Sequence, residues 1–143
     1  MRTKRRLTTI LIVCLTIFSL LFAVLWQRAE NNKDDIRQLA QASASDAYSQ
    51  FVDYQTNGEE SSYWYGVAAF RSFEQAYYLL IDGTNKSSNY VFCNEVYGYL
   101  VLSPEKSQEH IVEIIEIMEM LSMNVENEDG YLRMADLRNN IAS

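Results

Sequence analysis

The sequence predicts an all-α protein, in which a single N-terminal transmembrane helix precedes a small extracytoplasmic bundle of about four to five helices. Three observations lead to this prediction. Residues 7–26 contain no charge. After them, apolar residues recur every three to four positions, as on one face of a helix. The 143 residues include only five Gly and one Pro, too few for a turn-dense all-β fold.

The uncharged run at the N-terminus predicts a membrane anchor. As an α-helix its 20 residues extend ~30 Å, the thickness of a bilayer's hydrocarbon core. The basic residues Arg5 and Arg6 precede the run, and Trp26 and Arg28 follow it. Aromatic and cationic side chains are typical of the two membrane interfaces. We therefore predict that these four residues flank a membrane span.

The basic N-terminus predicts the orientation of this anchor. The positive-inside rule assigns residues 1–6 to the cytoplasm, residues 7–26 to the membrane and residues 27–143 to an extracytoplasmic domain. A cleaved signal peptide is the competing interpretation, but its apolar core is usually 7–15 residues and ends at small residues. We therefore expect a single-pass membrane protein with an uncleaved signal-anchor, surrounded by lipid at residues 7–26.

Charge is distributed unevenly along the chain. Of the 12 basic residues, five lie within residues 1–28, which contain no acid. The other seven and all 19 acidic residues lie within residues 29–143, which carry a net charge of −12. An acidic surface repels the phosphates of nucleic acids. We therefore predict that the main domain binds no nucleic acid.

Five helices are predicted after the membrane segment, from apolar residues that recur with helical spacing. The first contains no Gly or Pro before Asn57-Gly58, so it can continue directly from the anchor. The third contains Val and Tyr residues that also suit a strand, but their spacing favours a helix. The predicted helices span about residues 33–54, 62–81, 88–101, 104–123 and 128–140.

Local signals mark the boundaries of these helices. Ser61 or Ser62 can cap the second helix by accepting a hydrogen bond from an exposed N–H. Asp82-Gly83 ends that helix, because glycine suits the left-handed conformation at a C-terminus. Ser103 and Pro104 form the start of the fourth helix, with Pro at the first helical position. Short connections predict that consecutive helices pack antiparallel.

Residues 63–99 are unusually rich in aromatic side chains. Tyrosine combines an apolar ring with a hydroxyl, so these residues suit either a tightly filled core or a binding surface. Helical spacing alone does not separate the two interpretations. Tyr65, Tyr78 and Tyr99 lie off the inward-facing positions. We therefore predict that these three rings are exposed and contribute to a surface for a partner or ligand.

Arg71 completes the predicted surface. It is the only basic residue between Arg37 and Lys86 and lies on an otherwise apolar helix. It can bind an anionic group of a ligand or partner. The competing interpretation, which the spacing favours, is an ion pair with Glu74 three residues later.

No pattern predicts catalysis, a cofactor or a metal site. Two Cys and one His are too few for a zinc site. Residues 125–136 resemble a calcium-binding loop, but Val125 replaces the first carboxylate ligand. Cys93 either joins two chains or is a buried thiol, and the second interpretation is favoured. We therefore predict that the protein is not an enzyme and has no cofactor.

The preferred functional hypothesis is a membrane-anchored accessory or interaction protein that presents its helical domain to an envelope or membrane protein. The alternative is an anchored, sensor-like module with an aromatic-lined ligand pocket. The absence of a catalytic constellation favours interaction over catalysis. We expect a protein partner, and a homodimer is a further hypothesis.

Overall fold

The computed structural model describes the backbone of residues 2–81 and 87–142 and the side chains of residues 19–81 and 87–142. These residues form helices joined by short connections, and no strand occurs among them. The helical part of the fold prediction is therefore confirmed. The helices are α1 (Arg2–Asn57), α2 (Glu60–Leu80), α3 (Ser88–Leu102), α4 (Pro104–Glu109), α5 (Ile111–Met123) and α6 (Glu128–Ala142).

The predicted transmembrane anchor at residues 7–26 is wrong. Within residues 19–81 and 87–142, no helix has both the length and the apolar character needed to cross a membrane. Residues 7–18 of the predicted span lie outside the described side chains.

Three predictions depended on that anchor and are corrected with it. The fold class is all-α without an assigned membrane helix, the signal-anchor assignment is withdrawn, and so is the single-pass localisation with a cytoplasmic N-terminus and an extracytoplasmic domain. The predicted contact with lipid had the same basis. Trp26 and Arg28 are exposed, whereas Arg5 and Arg6 lie outside the described side chains.

The chain consists of two compact units, Met1–Asp35 and Ile36–Ser143, and the boundary falls within α1. In the first unit, every described side chain from residue 19 to residue 35 is exposed. Two of its rings, Phe22 and Trp26, lie with their centroids 6.3 Å apart. The first unit therefore buries none of its described side chains.

The second unit contains the hydrophobic core. Within it, α3 packs against α2, α4 and α6, and α5 packs against α6. The C-terminal part of α1 contributes one buried face with helical spacing, formed by Ala40, Ala44, Ala47 and Phe51. The largest fully buried side chains are Tyr63, Tyr131, Phe51, Phe70, Phe73, Leu100, Ile114, Ile117, Met118, Leu121, Met134 and Leu137.

The predicted fourth helix, residues 104–123, is divided into α4 and α5 at His110. The backbone there has φ −104° and ψ 18°, and the N–H of His110 donates to the carbonyl of Ser107 at 3.1 Å. Ser107 is fully buried, and its hydroxyl donates to the carbonyl of Ser103 at 3.1 Å. Such back-bonding by serine bends a helix. A buried polar residue in α4 therefore accompanies the break.

The predicted N-cap of α2, Ser61 or Ser62, is displaced by two or three residues. Glu59 occupies the N-cap position, and no side chain forms a cap hydrogen bond there. Gly58 has a positive φ of 69°, which suits glycine in the turn after α1. Pro104 is the first residue of α4 as predicted, although the side chain of Ser103 does not cap that helix. The predicted C-terminal cap at Gly83 lies outside the described residues.

Candidate binding surfaces on α2

The structure separates the three tyrosines that were predicted to be exposed. Tyr65 is 66% exposed. Tyr78 is half-buried, and its ring lies 4.9 Å from the ring of Tyr90, measured between centroids. Tyr99 is half-buried and packs against the core. Only Tyr65 therefore projects fully into solvent, and the other two each combine a packing contact with partial exposure.

Tyr65 belongs to an exposed face of α2 that carries no charge. We name this surface the outer face of α2, and its residues are separated by four, three, four, three and four positions. Trp64 lies beside it and is 41% exposed. Each residue of the face is exposed, and the set consists of Ser61, Tyr65, Ala68, Ser72, Gln75 and Leu79.

This neutrality is unusual for the surface of an acidic protein. The exposed positions of α5 include Glu113, Glu116 and Glu119, and those of α6 include Glu128 and Asp129. Solvent-exposed helix faces normally carry charged or polar residues of this kind. The outer face of α2 instead presents a tyrosine, a leucine, an alanine and small polar side chains, so a helix can pack on it without burying a charge.

A second candidate surface lies at the side of α2, around a buried carboxylate. The side chain of Glu74 is 1% exposed, and it forms an ion pair with Arg71, as the spacing predicts. The guanidinium of Arg71 also lies over the ring of Tyr97, 4.8 Å from its centroid. A buried charge is tolerated only when it is paired and hydrogen-bonded. Arg71 therefore stabilises Glu74 within an otherwise apolar region.

The carboxylate of Glu74 raises the pKa of two groups on α3. Burial raises the pKa of Tyr90, and a hydrogen bond to Glu74 and the negative charge of Glu74 raise it further. Burial also raises the pKa of the Cys93 thiol, and Glu74 adds to this shift. Cys93 is a buried free thiol, which confirms the favoured interpretation. These groups on α3 therefore stay protonated at neutral pH.

An open groove of ≈ 380 Å³ adjoins the ion pair. It brings together Arg71 and Tyr78, two of the residues predicted for a binding surface, with Tyr90 from α3. Tyr65 and Tyr99 do not line it. The complete lining is Arg71, Glu74, Gln75, Tyr78, Leu79 and Tyr90. The volume lies near the lower end of the range for small-molecule sites.

Sequence reasoning missed four residues of this groove, Glu74, Gln75, Leu79 and Tyr90. Glu74 was considered only as a partner of Arg71, yet it follows Phe70 by four residues and precedes Tyr77 by three, so it shares their buried face. An acid at an inward helical position is a signal for a buried polar site. Tyr90 had no such signal, because its place beside Glu74 depends on the packing of α3 against α2.

The acidic side chains and the single histidine are the other residues that can bind a metal ion. Within residues 19–81 and 87–142, no group of three or more Asp, Glu, His or Cys side chains is arranged to hold a metal ion. His110 approaches one carboxylate, with its Nδ1 3.2 Å from Glu113 Oε1. The glutamates of α5 are exposed to water.

Comparisons with known proteins provide no relationship: no family model, no curated protein and no solved structure matches the chain. The two surfaces of α2 are therefore the features that indicate a function.

Proposed function

We propose that the helical domain, residues 36–142, is a protein-interaction module whose contact surface is the outer face of α2, and that its partner helix is α2 of a second copy. One observation carries the proposal: six exposed residues of α2 form an uncharged stripe with a regular spacing. Alternation of three and four residues is the spacing with which one helix packs along another.

The charge of the domain favours a homotypic contact at this face. Residues 36–142 contain six basic and 16 acidic residues, a net charge of −10, so most approaches of two copies place carboxylates near one another. Like charges in contact are destabilising. The outer face of α2 contains no Asp, Glu, Lys, Arg or His, and Glu74 beside it is neutralised by Arg71. Two copies can therefore meet there without this repulsion.

The spacing of the stripe also suits a two-fold axis. The order of four, three, four, three and four residues is the same in both directions, so an antiparallel copy presents a matching stripe. A two-fold axis midway between Ala68 and Ser72 places Tyr65 opposite Gln75 of the partner subunit. It also places Ala68 opposite the partner subunit's Ser72, where small side chains permit a close approach of the helices. Large residues then face smaller ones along the contact.

The test is the mass of the full-length protein in solution as its concentration is raised, measured by sedimentation equilibrium. We expect a reversible monomer–dimer equilibrium that Ala68→Arg abolishes, because the new charge lies at the centre of the contact. Ala42→Arg is the matched control, since it places the same charge at an exposed position of α1. A monomer at every concentration, or equal dimerisation of the two variants, would refute the proposal.

We also propose a second function, ligand binding in the groove between α2 and α3. The observation that favours it is the presence of Arg71 and Tyr78 in one groove, beside the buried Glu74. Binding to the native state alone raises apparent stability. A groove ligand should therefore raise the thermal midpoint of the wild-type protein, and a variant with a disrupted groove should show no such shift.

A further inference from the structure

The guanidinium of Arg71 is held by two contacts. Its Nη1 donates to Glu74, and its plane lies over the ring of Tyr97 at 4.8 Å from the centroid. An arginine that is already oriented loses less conformational entropy when it binds a further group. Arg71 is therefore prepared for recognition in a way that an unrestrained surface cation is not.

Part of this guanidinium remains available. Arginine has five N–H donors, and among the described residues Glu74 is the only carboxylate that contacts Arg71. The side chain of Arg71 is 39% exposed and lines the groove. The donors that do not contact Glu74 can therefore reach a group in the groove, and a carboxylate can accept two of them side by side.

Two aromatic rings form part of the groove wall. The rings of Tyr78 and Tyr90 lie 4.9 Å apart and are inclined at 47°. Leu79, at the rim, is 56% exposed. Aromatic rings at this separation make favourable contacts with a further ring or an alkyl group. The groove therefore combines one oriented cation with a partly aromatic wall.

We infer that the groove between α2 and α3 binds a carboxylate joined to an apolar group, with the carboxylate on Arg71 and the apolar group against Tyr78 and Tyr90. This inference depends on the second proposed function, ligand binding in the groove. The same chemistry occurs in a small carboxylic acid and in the C-terminus of a peptide that ends in an apolar residue.

Other charges fit the groove less well. A cation would find that Glu74 is already paired with Arg71 and that its side chain is almost completely buried. A phosphate would place two negative charges near Glu74 with one arginine to oppose them. A carboxylate carries a single charge and matches the planar donor geometry of the guanidinium.

The probes for the test are 3-phenylpropionate and N-acetyl-Gly-Phe, which represent the two sources of the carboxylate. Each is compared with its neutral amide, 3-phenylpropionamide or N-acetyl-Gly-Phe-amide, which keeps the ring and removes the charge. Binding to the full-length protein at neutral pH is followed by ¹H–¹⁵N spectra. We expect at least one acid to bind ~10-fold or more tightly than its amide, because the charge-assisted hydrogen bonds are lost in the amide.

The variants distinguish loss of the charges in the groove from loss of the folded structure. Arg71→Gln combined with Glu74→Gln replaces the ion pair by two neutral amides, so no unpaired charge is buried. We expect this double variant to lose the preference for the acid. Tyr78→Leu should weaken the binding of the acid and of the amide to the same extent, because it removes one of the two aromatic rings of the groove. Arg133→Gln is the matched control, since Arg133 pairs with the exposed Glu116 away from the groove.

Each outcome has one meaning. Equal affinity of acids and amides would refute the carboxylate assignment while ligand binding in the groove stands. An acid preference that persists in the double variant would also refute it, because the carboxylate would then lie elsewhere. No shift of the groove resonances with any of the four probes would refute the carboxylate assignment, whereas the second proposed function is tested separately by the thermal midpoint. Preference for one acid over the other identifies the source of the carboxylate.

Discussion

The ring of Phe51 on α1 occupies the space that a side chain at Gly66 on α2 would need. A Cβ atom built on Gly66 would lie 2.6 Å from Cε1 of Phe51, well inside the distance that two carbon atoms tolerate. Phe51 is fully buried, and its ring also lies 6.0 Å from that of Tyr63, measured between centroids. Gly66 is therefore required for the close approach of these two helices, because only hydrogen fits against the ring.

Gly66→Ala should destabilise the domain. The added methyl group forces the Phe51 ring out of its position, and overpacking of this kind costs about 1–3 kcal/mol. This cost exceeds the gain of about 0.5–1 kcal/mol that alanine brings to a helix interior. Urea denaturation followed by circular dichroism measures the difference in the free energy of unfolding.

Gly98→Ala is the matched control for this substitution. Gly98 lies within α3, and a Cβ atom there meets nothing within 4 Å. The helix propensity of alanine should then appear alone, as a gain of about 0.5–1 kcal/mol. Equal effects at the two glycines would contradict the packing of Phe51 against Gly66.

Removal of Arg71 should destabilise the domain more than removal of Glu74. Arg71→Ala leaves the carboxylate of Glu74 buried and unpaired, which costs about 3–5 kcal/mol. Glu74→Ala leaves Arg71, whose side chain is 39% exposed and can be solvated. Arg133→Ala, at an ion pair with both partners exposed, should cost less than about 1 kcal/mol. Urea unfolding of the three variants tests this order, and equal losses for Arg71→Ala and Arg133→Ala would contradict the burial of Glu74.

Stability should fall at alkaline pH. Burial is the main cause that raises the pKa of Tyr63 to about 12 and the pKa values of Tyr131 and Cys93 above their ordinary range. The folded state therefore holds these protons where the unfolded chain releases them. The stability that these protonated groups contribute is complete below about pH 8 and declines as pH rises through 9–12. Each group lowers the free energy of unfolding by ~1.4 kcal/mol per pH unit, between its pKa in the unfolded chain and its pKa in the folded protein. Urea denaturation at a series of pH values measures the slope.

Tyr131→Phe separates one contribution from the others. The hydroxyl of Tyr131 donates to the carbonyl of Val125 at 2.7 Å, so its loss should cost about 1 kcal/mol at neutral pH. The decline at alkaline pH should also become shallower. Tyr65→Phe serves as the control, because Tyr65 meets water in the folded state. An unchanged alkaline slope in Tyr131→Phe would show that this phenol does not contribute.

The thiol of Cys93 should be protected from alkylation in the native protein. Its side chain is fully buried, and burial raises its pKa, so the reactive thiolate is scarce and inaccessible. In a Cys14→Ser variant, iodoacetamide at pH 8 should modify the protein only after urea is added, as measured by mass spectrometry. Rapid modification without urea would contradict the burial of Cys93 beside Glu74.

Helical periodicity alone predicts most of the second unit. The spacing of apolar residues locates α3 and α6 to within a few residues, because burial of one face is what stabilises a helix in a domain. The i,i+3 spacing of Arg71 and Glu74 likewise predicts their ion pair. Pro104 marks the start of α4, since proline has no backbone N–H to donate and is therefore tolerated in the first turn of a helix. These features depend on residues close together in the chain.

Other features depend on residues that are distant in sequence. The break at His110 accompanies the full burial of Ser107, and a pattern within residues 104–123 does not contain that information. The anchor predicted from the hydropathy of residues 7–26 failed, because no described helix has the length and apolar character to cross a membrane.

The sequence by itself determined the class of fold and the acidic character of the domain, since periodicity and charge are local properties of the chain. It also determined that the exposed stripe of α2 is uncharged, although not that this stripe would be the exposed one. The tertiary structure decided that Glu74 is buried, that Tyr90 lies beside it, and that Arg71 and Tyr78 share a groove. These relationships arise only when α3 packs against α2, because helix packing sets which side chains of distant segments meet.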